Sequence, residues 1–61
     1  MIRIALCDDH TLVRNAIARL LAREEDMAVV VEASDGVALL AALKNVSCDV
    51  VVLDVVMPGW S

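Results

Sequence analysis

Three short apolar runs divide this chain, and two stretches with helical spacing separate them. The runs cover residues 2–7, 27–31 and 49–55 and are rich in valine, isoleucine and leucine. In the first run both alternating faces are apolar except at Arg3, which predicts a central strand covered on both sides. The other two runs are also interpreted as strands. The Met57-Pro58-Gly59 segment predicts a turn after the third run, because proline cannot continue a ladder.

The two intervening stretches predict helices over residues 11–24 and 37–44. In the first helix, Asp9 or Thr11 is expected to cap the start, and the arginines are expected to form a solvated face. Ser34-Asp35-Gly36 predicts a turn with capping chemistry before the second helix. The apolar positions of the first helix recur at intervals of three and four residues and are predicted to form its buried stripe: Leu12, Val13, Ala16, Ile17, Leu20 and Leu21.

The element order β-α-β-α-β predicts an α/β fold with a three-stranded parallel sheet. Right-handed crossovers place the first strand in the middle, giving the strand order 2-1-3 with the helices on opposite faces. The winding direction reverses between the first and third strands. Open α/β sheets place their ligands at such a switch point, at the carboxyl ends of the strands.

Three acidic residues fall at that predicted switch point. Asp8 and Asp9 end the first strand, and Asp54 follows a run of four aliphatic residues in the third. Neighbouring strands lie about 4.8 Å apart, so the carboxylates would repel one another unless a cation were supplied. A hard divalent ion with oxygen ligands resolves the repulsion, which predicts a Mg²⁺ and phosphate site. Taken alone, an Asp-Asp pair is more often a helix cap in a solvated turn; Asp54 is the stronger signal, since burying a lone carboxylate is costly.

Other potential ligands near the acids have simpler interpretations. His10 is expected to be a surface histidine at a helix start, and Met57 a packing residue beside hard oxygen ligands. Cys7 and Cys48 lie at opposite ends of their strands, about 16 Å apart. A disulfide needs Cα atoms within about 7 Å, so two separate buried thiols are expected. Metal ligation by Cys7 beside Asp8 is the minor alternative.

Composition narrows the possible partners and surroundings. The 61 residues allow one small domain, and 61% apolar content excludes a disordered segment. The net charge of −4, with one Trp and no Phe or Tyr, gives no basis for nucleic-acid contact by this chain itself. No apolar run is long enough to span a membrane, and Arg3 and the following acids interrupt any export signal. A cytoplasmic location is expected.

The motifs carry a family resemblance. Asp8-Asp9-His10, the Asp35-Gly36 turn and the segment from Asp54 to Gly59 resemble the N-terminal half of a response-regulator receiver domain, the phospho-accepting module of two-component signalling. The run from Asp8 to Arg14 is most similar to receivers of the LuxR-type DNA-binding class. The resemblance extends over all 61 residues of this chain, which correspond to only about half of a receiver domain. It implies a truncated, doubly wound, flavodoxin-like fold, with residues 1–61 as a partial receiver domain.

The resemblance also implies roles for individual residues. It implies that Asp54 is the phosphoacceptor, that Asp9 binds Mg²⁺ directly and Asp8 largely through water, and that the backbone carbonyl of Val56 is a further metal ligand. A histidine kinase is the implied phosphodonor, and the module is not itself an enzyme. The family also uses a Lys and a Thr or Ser from its fourth and fifth strands. The positions that would match these two residues do not fall within these 61 residues. Lys44, at the far end of a helix, does not replace them, so impaired phosphotransfer is expected.

An alternative function follows from the third strand. Its Val and Leu residues would form a bare sheet edge, and such edges recruit other chains. The alternative is a structural or interaction fragment without phosphotransfer that self-associates through this edge into a homo-oligomer.

Overall fold

Strands and helices alternate along the chain in the predicted order. The computed structural model describes residues 1–53. Within them the elements are β1 (Ile2–Cys7), α1 (Thr11–Ala22), β2 (Met27–Ala33), α2 (Gly36–Leu43) and β3 (Val50–Leu53). Observed and predicted bounds agree within two residues where both can be compared, and those of β1 are identical. The predicted end of the third strand, residues 54–55, lies outside the described residues.

The sheet is parallel and has the predicted order β2-β1-β3. β1 therefore pairs on both sides, as its apolar faces predict. At its carboxyl end Cys7 pairs with Ala33 of β2 and with Leu53 of β3. The carboxyl ends of β1 and of its two neighbours are thus level, which aligns the segments that follow β1 and β2 at one edge of the sheet.

The two helices cover opposite faces of the sheet. One buried core contains Ala5 and Cys7 of β1, Val31 and Ala33 of β2, and Leu39 of α2. Leu6 alternates with them, and it lines a cavity on the other face together with Ile17 of α1. The doubly wound arrangement is confirmed.

Asp35 begins α2 in the way that the turn motif predicts. Its backbone is extended, and its side chain accepts a hydrogen bond of 2.8 Å from the Ala38 amide. This bond satisfies one of the amides at the helix start that have no partner within the helix. The cap fixes the start of α2, from which Leu39 reaches the core.

The predicted capping and buried stripe of α1 are wrong. The N-cap is His10, without a side-chain capping bond, in place of Asp9 or Thr11. Leu12 is 86% exposed, and Leu20 is also exposed. The apolar stripe spans about half of the helix circumference at roughly 100° per residue. The partly buried positions on α1 are instead Arg14, Ile17, Ala18 and Leu21, so only one edge of the stripe faces the sheet.

Arg14 is the clearest exception to the predicted solvated face. Its side chain is 16% exposed, whereas Arg19 and Arg23 are exposed as expected.

Neither α1 nor α2, the helices of the described residues, has the length and apolar character of a membrane span.

We expect Leu39→Ala to destabilise the fold by about 2–5 kcal/mol, because it leaves a cavity in the α2 core. Leu40 is the matched control on the same helix, since it is 60% exposed whereas Leu39 is 3% exposed. Leu40→Ala should change stability by less than about 0.5 kcal/mol. Urea unfolding followed by far-UV circular dichroism measures both. Equal losses in the two variants would contradict the placement of α2.

Candidate functional site

The candidate site lies at the carboxyl end of β1. The Asp8 amide donates a hydrogen bond of 3.0 Å to the Ala33 carbonyl, which extends the β1–β2 pairing by one residue. Asp9 and His10 then turn the chain into α1, which begins at Thr11. The acids therefore lie at the strand end where α/β sheets bind ligands.

Asp8, Asp9 and His10 converge into one cluster. The His10 Nδ1 atom lies 3.2 Å from Asp8 Oδ1 and 3.0 Å from Asp9 Oδ1. One potential ligand atom from each residue lies within 4.8 Å of the other two. The predicted proximity of Asp8 and Asp9 is present. His10 has the predicted exposure, 69% for its side chain, but its ring contacts both carboxylates.

Hydrogen bonding lowers the pKa of Asp8. The backbone amide of His10 donates a bond of 2.8 Å to Asp8 Oδ1, and this bond is the largest cause of a lowered Asp8 pKa. The His10 side chain and the Arg14 charge act in the same direction, and desolvation opposes them. An aspartate is already a carboxylate at neutral pH, and the lowered pKa extends this form of Asp8, which a metal ion requires, to more acidic pH.

Cys7 does not fit the alternative of a metal ligand. Burial raises the pKa of its thiol above the ordinary value, and the negative charges of Asp35 and Asp8 raise it further. Its side chain is part of the buried α2 core, and the potential ligand atoms that converge at this turn come from Asp8, Asp9 and His10. Cys7 and Cys48 form no disulfide, as predicted.

The described part of the site has donors that suit Mg²⁺. Two carboxylates offer hard oxygen atoms, and Asp9 is exposed enough to leave room for the waters that Mg²⁺ retains. The two other predicted ligands, the Asp54 carboxylate and the Val56 carbonyl, lie outside the described residues. The residues present fit a hydrated magnesium ion held from one side by Asp8 and Asp9.

Arg14 is the site residue that the sequence reasoning missed. Its Nη1 atom donates a hydrogen bond of 3.0 Å to the Asp8 carbonyl. It also lines a cavity of about 100 Å³ together with Asp8, Ile17 and Leu53. Its spacing of three and seven residues from Ile17 and Leu21 places it on their face of the helix. That spacing was the available signal.

A 2-1-3 parallel sheet with an acid pair at the end of its central strand defines a class of α/β domain that binds its ligand at the switch point. The family model described as "Response regulator receiver domain" matches residues 4–61. The chain belongs to this family, a module of two-component signalling, as the motifs predict.

Curated relatives agree with this assignment. Response regulator GacA of Pseudomonas viridiflava is 44% identical over 59 residues, which are 97% of this chain and 28% of the relative. Transcriptional regulatory protein LiaR of Bacillus subtilis is 42% identical, with the same coverage. Transcriptional regulatory protein UhpA of Escherichia coli is 43% identical over all 61 residues, 31% of its length. By their names, one of these relatives is a response regulator and two are transcriptional regulatory proteins. The chain spans less than a third of their length, and no solved structure matches it significantly.

We expect His10→Ala to raise the pKa of Asp8 only part of the way toward its ordinary value. Alanine removes the imidazole contact but keeps the backbone amide, which is the largest cause of the lowered pKa. Carboxyl ¹³C chemical shifts followed through a pH titration measure the change. A return to the ordinary value would show that the imidazole, rather than the amide, is the main cause of the lowered Asp8 pKa.

The sign of the linked pH dependence follows from the same shift. Because the folded-state pKa of Asp8 is lowered, its contribution to stability is present above the unfolded pKa and is lost as pH falls through the folded pKa. When the free energy of unfolding is measured against pH, Asp8→Asn should therefore lose less stability than the wild type as the pH falls. An unchanged loss at acid pH would contradict this role of Asp8.

Proposed function

We propose that this chain receives a phosphoryl group on Asp54 with Mg²⁺ bound beside it. In this proposal the metal is held by the carboxylates of Asp8, Asp9 and Asp54 and by the Val56 carbonyl, and a histidine kinase is the donor. Family membership supports the signalling role. Phosphate acceptance and metal binding are the further steps that the proposal adds.

One observation carries the proposal: the acid pair is level with the described end of β3. Cys7, which precedes Asp8, pairs with Leu53, which precedes Asp54 in the sequence. Parallel strands in this register direct their next residues toward a common edge. Although Asp54 lies outside the described residues, the register up to Leu53 favours its approach to Asp8.

The chemistry requires one nucleophile and suitably placed negative ligands. A carboxylate oxygen of Asp54 forms a bond to phosphorus while the bond between phosphorus and the donor breaks, and the bonding electron pair leaves with the donor. Bound Mg²⁺ would neutralise charge on the phosphoryl oxygens. Asp8 and Asp9 supply the negative charge that retains the cation, and the hydrogen bond from the His10 amide lowers the pKa of Asp8.

The relatives suggest the signal's destination. LiaR and UhpA are named transcriptional regulatory proteins, and this chain corresponds to less than a third of each. We infer that phosphorylation of Asp54 controls a transcription regulator of the same kind.

Phosphate acceptance can be measured by intact-protein mass spectrometry. Incubation with Mg²⁺ and a small acyl phosphate should add the mass of one phosphoryl group, and Asp54→Asn should abolish the adduct. Asp49→Asn is the matched control, because Asp49 binds Arg3 at the opposite end of the strands. No adduct on the wild-type chain, or an adduct that persists in Asp54→Asn, would overturn the proposal.

A second candidate function rests on the exposure of β3. Its four residues are apolar, and each is between 39% and 45% exposed. Within the described residues β3 pairs with β1 alone, so its second edge can pair with another strand. This supports the alternative of a fragment that self-associates through its open sheet edge without phosphotransfer.

Sedimentation tests the second candidate. Self-association through β3 predicts a species heavier than the 6.5 kDa chain that Val51→Lys dissociates, since charge on an edge strand opposes pairing. Val37→Lys is the control, because Val37 is highly exposed on α2, away from the sheet edge. A monomeric wild-type chain, or equal effects of both lysines, would exclude this mode of association.

A further inference from the structure

We propose that Arg14 is a positioning residue for the acid pair: its guanidinium holds the Asp8 carbonyl and, with Glu32 behind it, fixes the turn that presents Asp8 and Asp9 to a divalent cation. The proposal rests on the proposed function for the identity of the cation. Its structural part, the restraint of the turn, stands on contacts within the described residues.

Arg14 restrains the turn at both of its ends. The side chain acts at Asp8, where its Nη1 donates to the carbonyl over 3.0 Å. At the other end, the bond of 2.8 Å from the Arg14 backbone amide to the His10 carbonyl is an ordinary helix bond that does not depend on the side chain. The Asp8 carbonyl belongs to the peptide group that joins the two acids. Fixing that peptide plane therefore limits how far the Asp8 and Asp9 side chains can move relative to each other.

The guanidinium is also held from β2. Arg14 Nε is buried and has no hydrogen-bond partner among residues 1–53, and Glu32 Oε1 lies 3.8 Å away. That distance is within ion-pair range but beyond a hydrogen bond. Glu32 therefore attracts the guanidinium by charge, while Asp8 holds it by a directed bond. The acid turn, α1 and β2 are linked through one side chain.

Packing alone does not account for an arginine at this position. Leu6, Ile17 and Leu53 line the same cavity, so an aliphatic side chain would suit the surroundings. Burying charge that is incompletely hydrogen-bonded is costly, and hydrophobic replacement of buried ion pairs is often neutral or stabilising. The bond to Asp8 is the specific interaction that an aliphatic residue would lose.

Charge and position predict opposite effects on metal binding. As a positive charge near a cation site, Arg14 weakens Mg²⁺ binding by Coulomb repulsion. As a positioning residue, it strengthens binding because the ligands are held in place before the ion arrives. Partners that orient metal ligands typically contribute on the order of 10-fold or more in affinity, which exceeds a screened repulsion.

The test is calorimetric Mg²⁺ titration of Arg14→Gln, with Arg19→Gln as the matched control. Both variants remove one positive charge from α1, but Arg19 is exposed and is not part of the cavity lining. Arg14→Gln should lose on the order of 10-fold in Mg²⁺ affinity. Arg19→Gln should bind as tightly as the wild type or slightly more tightly. An Arg14→Gln variant that also binds as tightly as the wild type, or more tightly, would overturn the proposal.

Conservative variants keep the test decisive if Arg14→Gln does not fold. Arg14→Lys keeps the charge and one donor, so it should retain more affinity than Arg14→Gln but less than the wild type. Glu32→Gln keeps the Asp8 bond and removes only the charge behind Arg14, so a loss of a few-fold is expected. Wild-type affinity in both would overturn the proposal.

A metal-free measurement separates this inference from the proposed function. The His10 amide is bonded to Asp8 Oδ1, so its hydrogen exchange reports the order of the turn. Without Mg²⁺, Arg14→Gln should speed exchange at His10 and leave exchange in β2 unchanged, whereas Arg19→Gln should change neither. If the wild-type chain binds no Mg²⁺, the proposed metal site fails and this exchange result alone decides the role of Arg14. Unchanged exchange at His10 would overturn that role.

Discussion

The pairing of β1 with a strand on each side is the constraint on which the rest of the structure depends. It buries the second half of β1, from Ile4 to Cys7, and it sets the register that makes Cys7 level with Ala33 and Leu53. With the strand ends level, the residues after Cys7 must leave the sheet at a shared edge. The location of the acid pair is thus a consequence of sheet pairing, and α2 stabilises that pairing through Leu39.

A turn with two adjacent carboxylates has to offset their mutual repulsion. Three contacts do so in the described structure. The His10 amide donates to Asp8, the His10 ring contacts both carboxylates, and Arg14 places positive charge near Asp8. These contacts lower the pKa of Asp8 and so favour its ionised form before any cation binds. The same contacts limit the side chains' movement, so the electrostatics and the geometry of the turn have a common origin.

The sequence predicts the architecture well because its apolar runs have the strand period and its turn residues have unambiguous chemistry. Asp35 is an example, since an Asp before a glycine and an aliphatic helix has a specific capping role. The prediction that the apolar stripe of α1 is buried was wrong for a physical reason. Six apolar positions spread over half of the helix, so periodicity alone does not select which edge faces the sheet. Leu12 and Leu20 are exposed, and Arg14 occupies a place that hydrophobicity assigns to an aliphatic residue.

The sequence also predicts part of the candidate site, namely the acid pair, but not the contact that Arg14 makes with it. The strand pattern and the position of the acids are enough to bring Asp8 and Asp9 together at the switch point. They do not reveal the Arg14 contact, because whether a side chain of α1 reaches the Asp8 carbonyl depends on the rotation of the helix. The roles of Asp54 and Val56 stay predictions, since both residues lie outside the described part of the chain.

The two candidate functions share one strand and are therefore physically linked. Leu53 is part of the exposed β3 edge, lines the cavity beside Arg14 and Asp8, and precedes the proposed phosphoacceptor. A chain that pairs with β3 would restrain Leu53, and through it the approach of Asp54 to the acid pair. Binding linkage is reciprocal, so a ligand at the acid edge would alter pairing at β3 by the same free energy. Both candidate functions therefore depend on the end of β3, and they differ in whether Asp54 accepts a phosphoryl group.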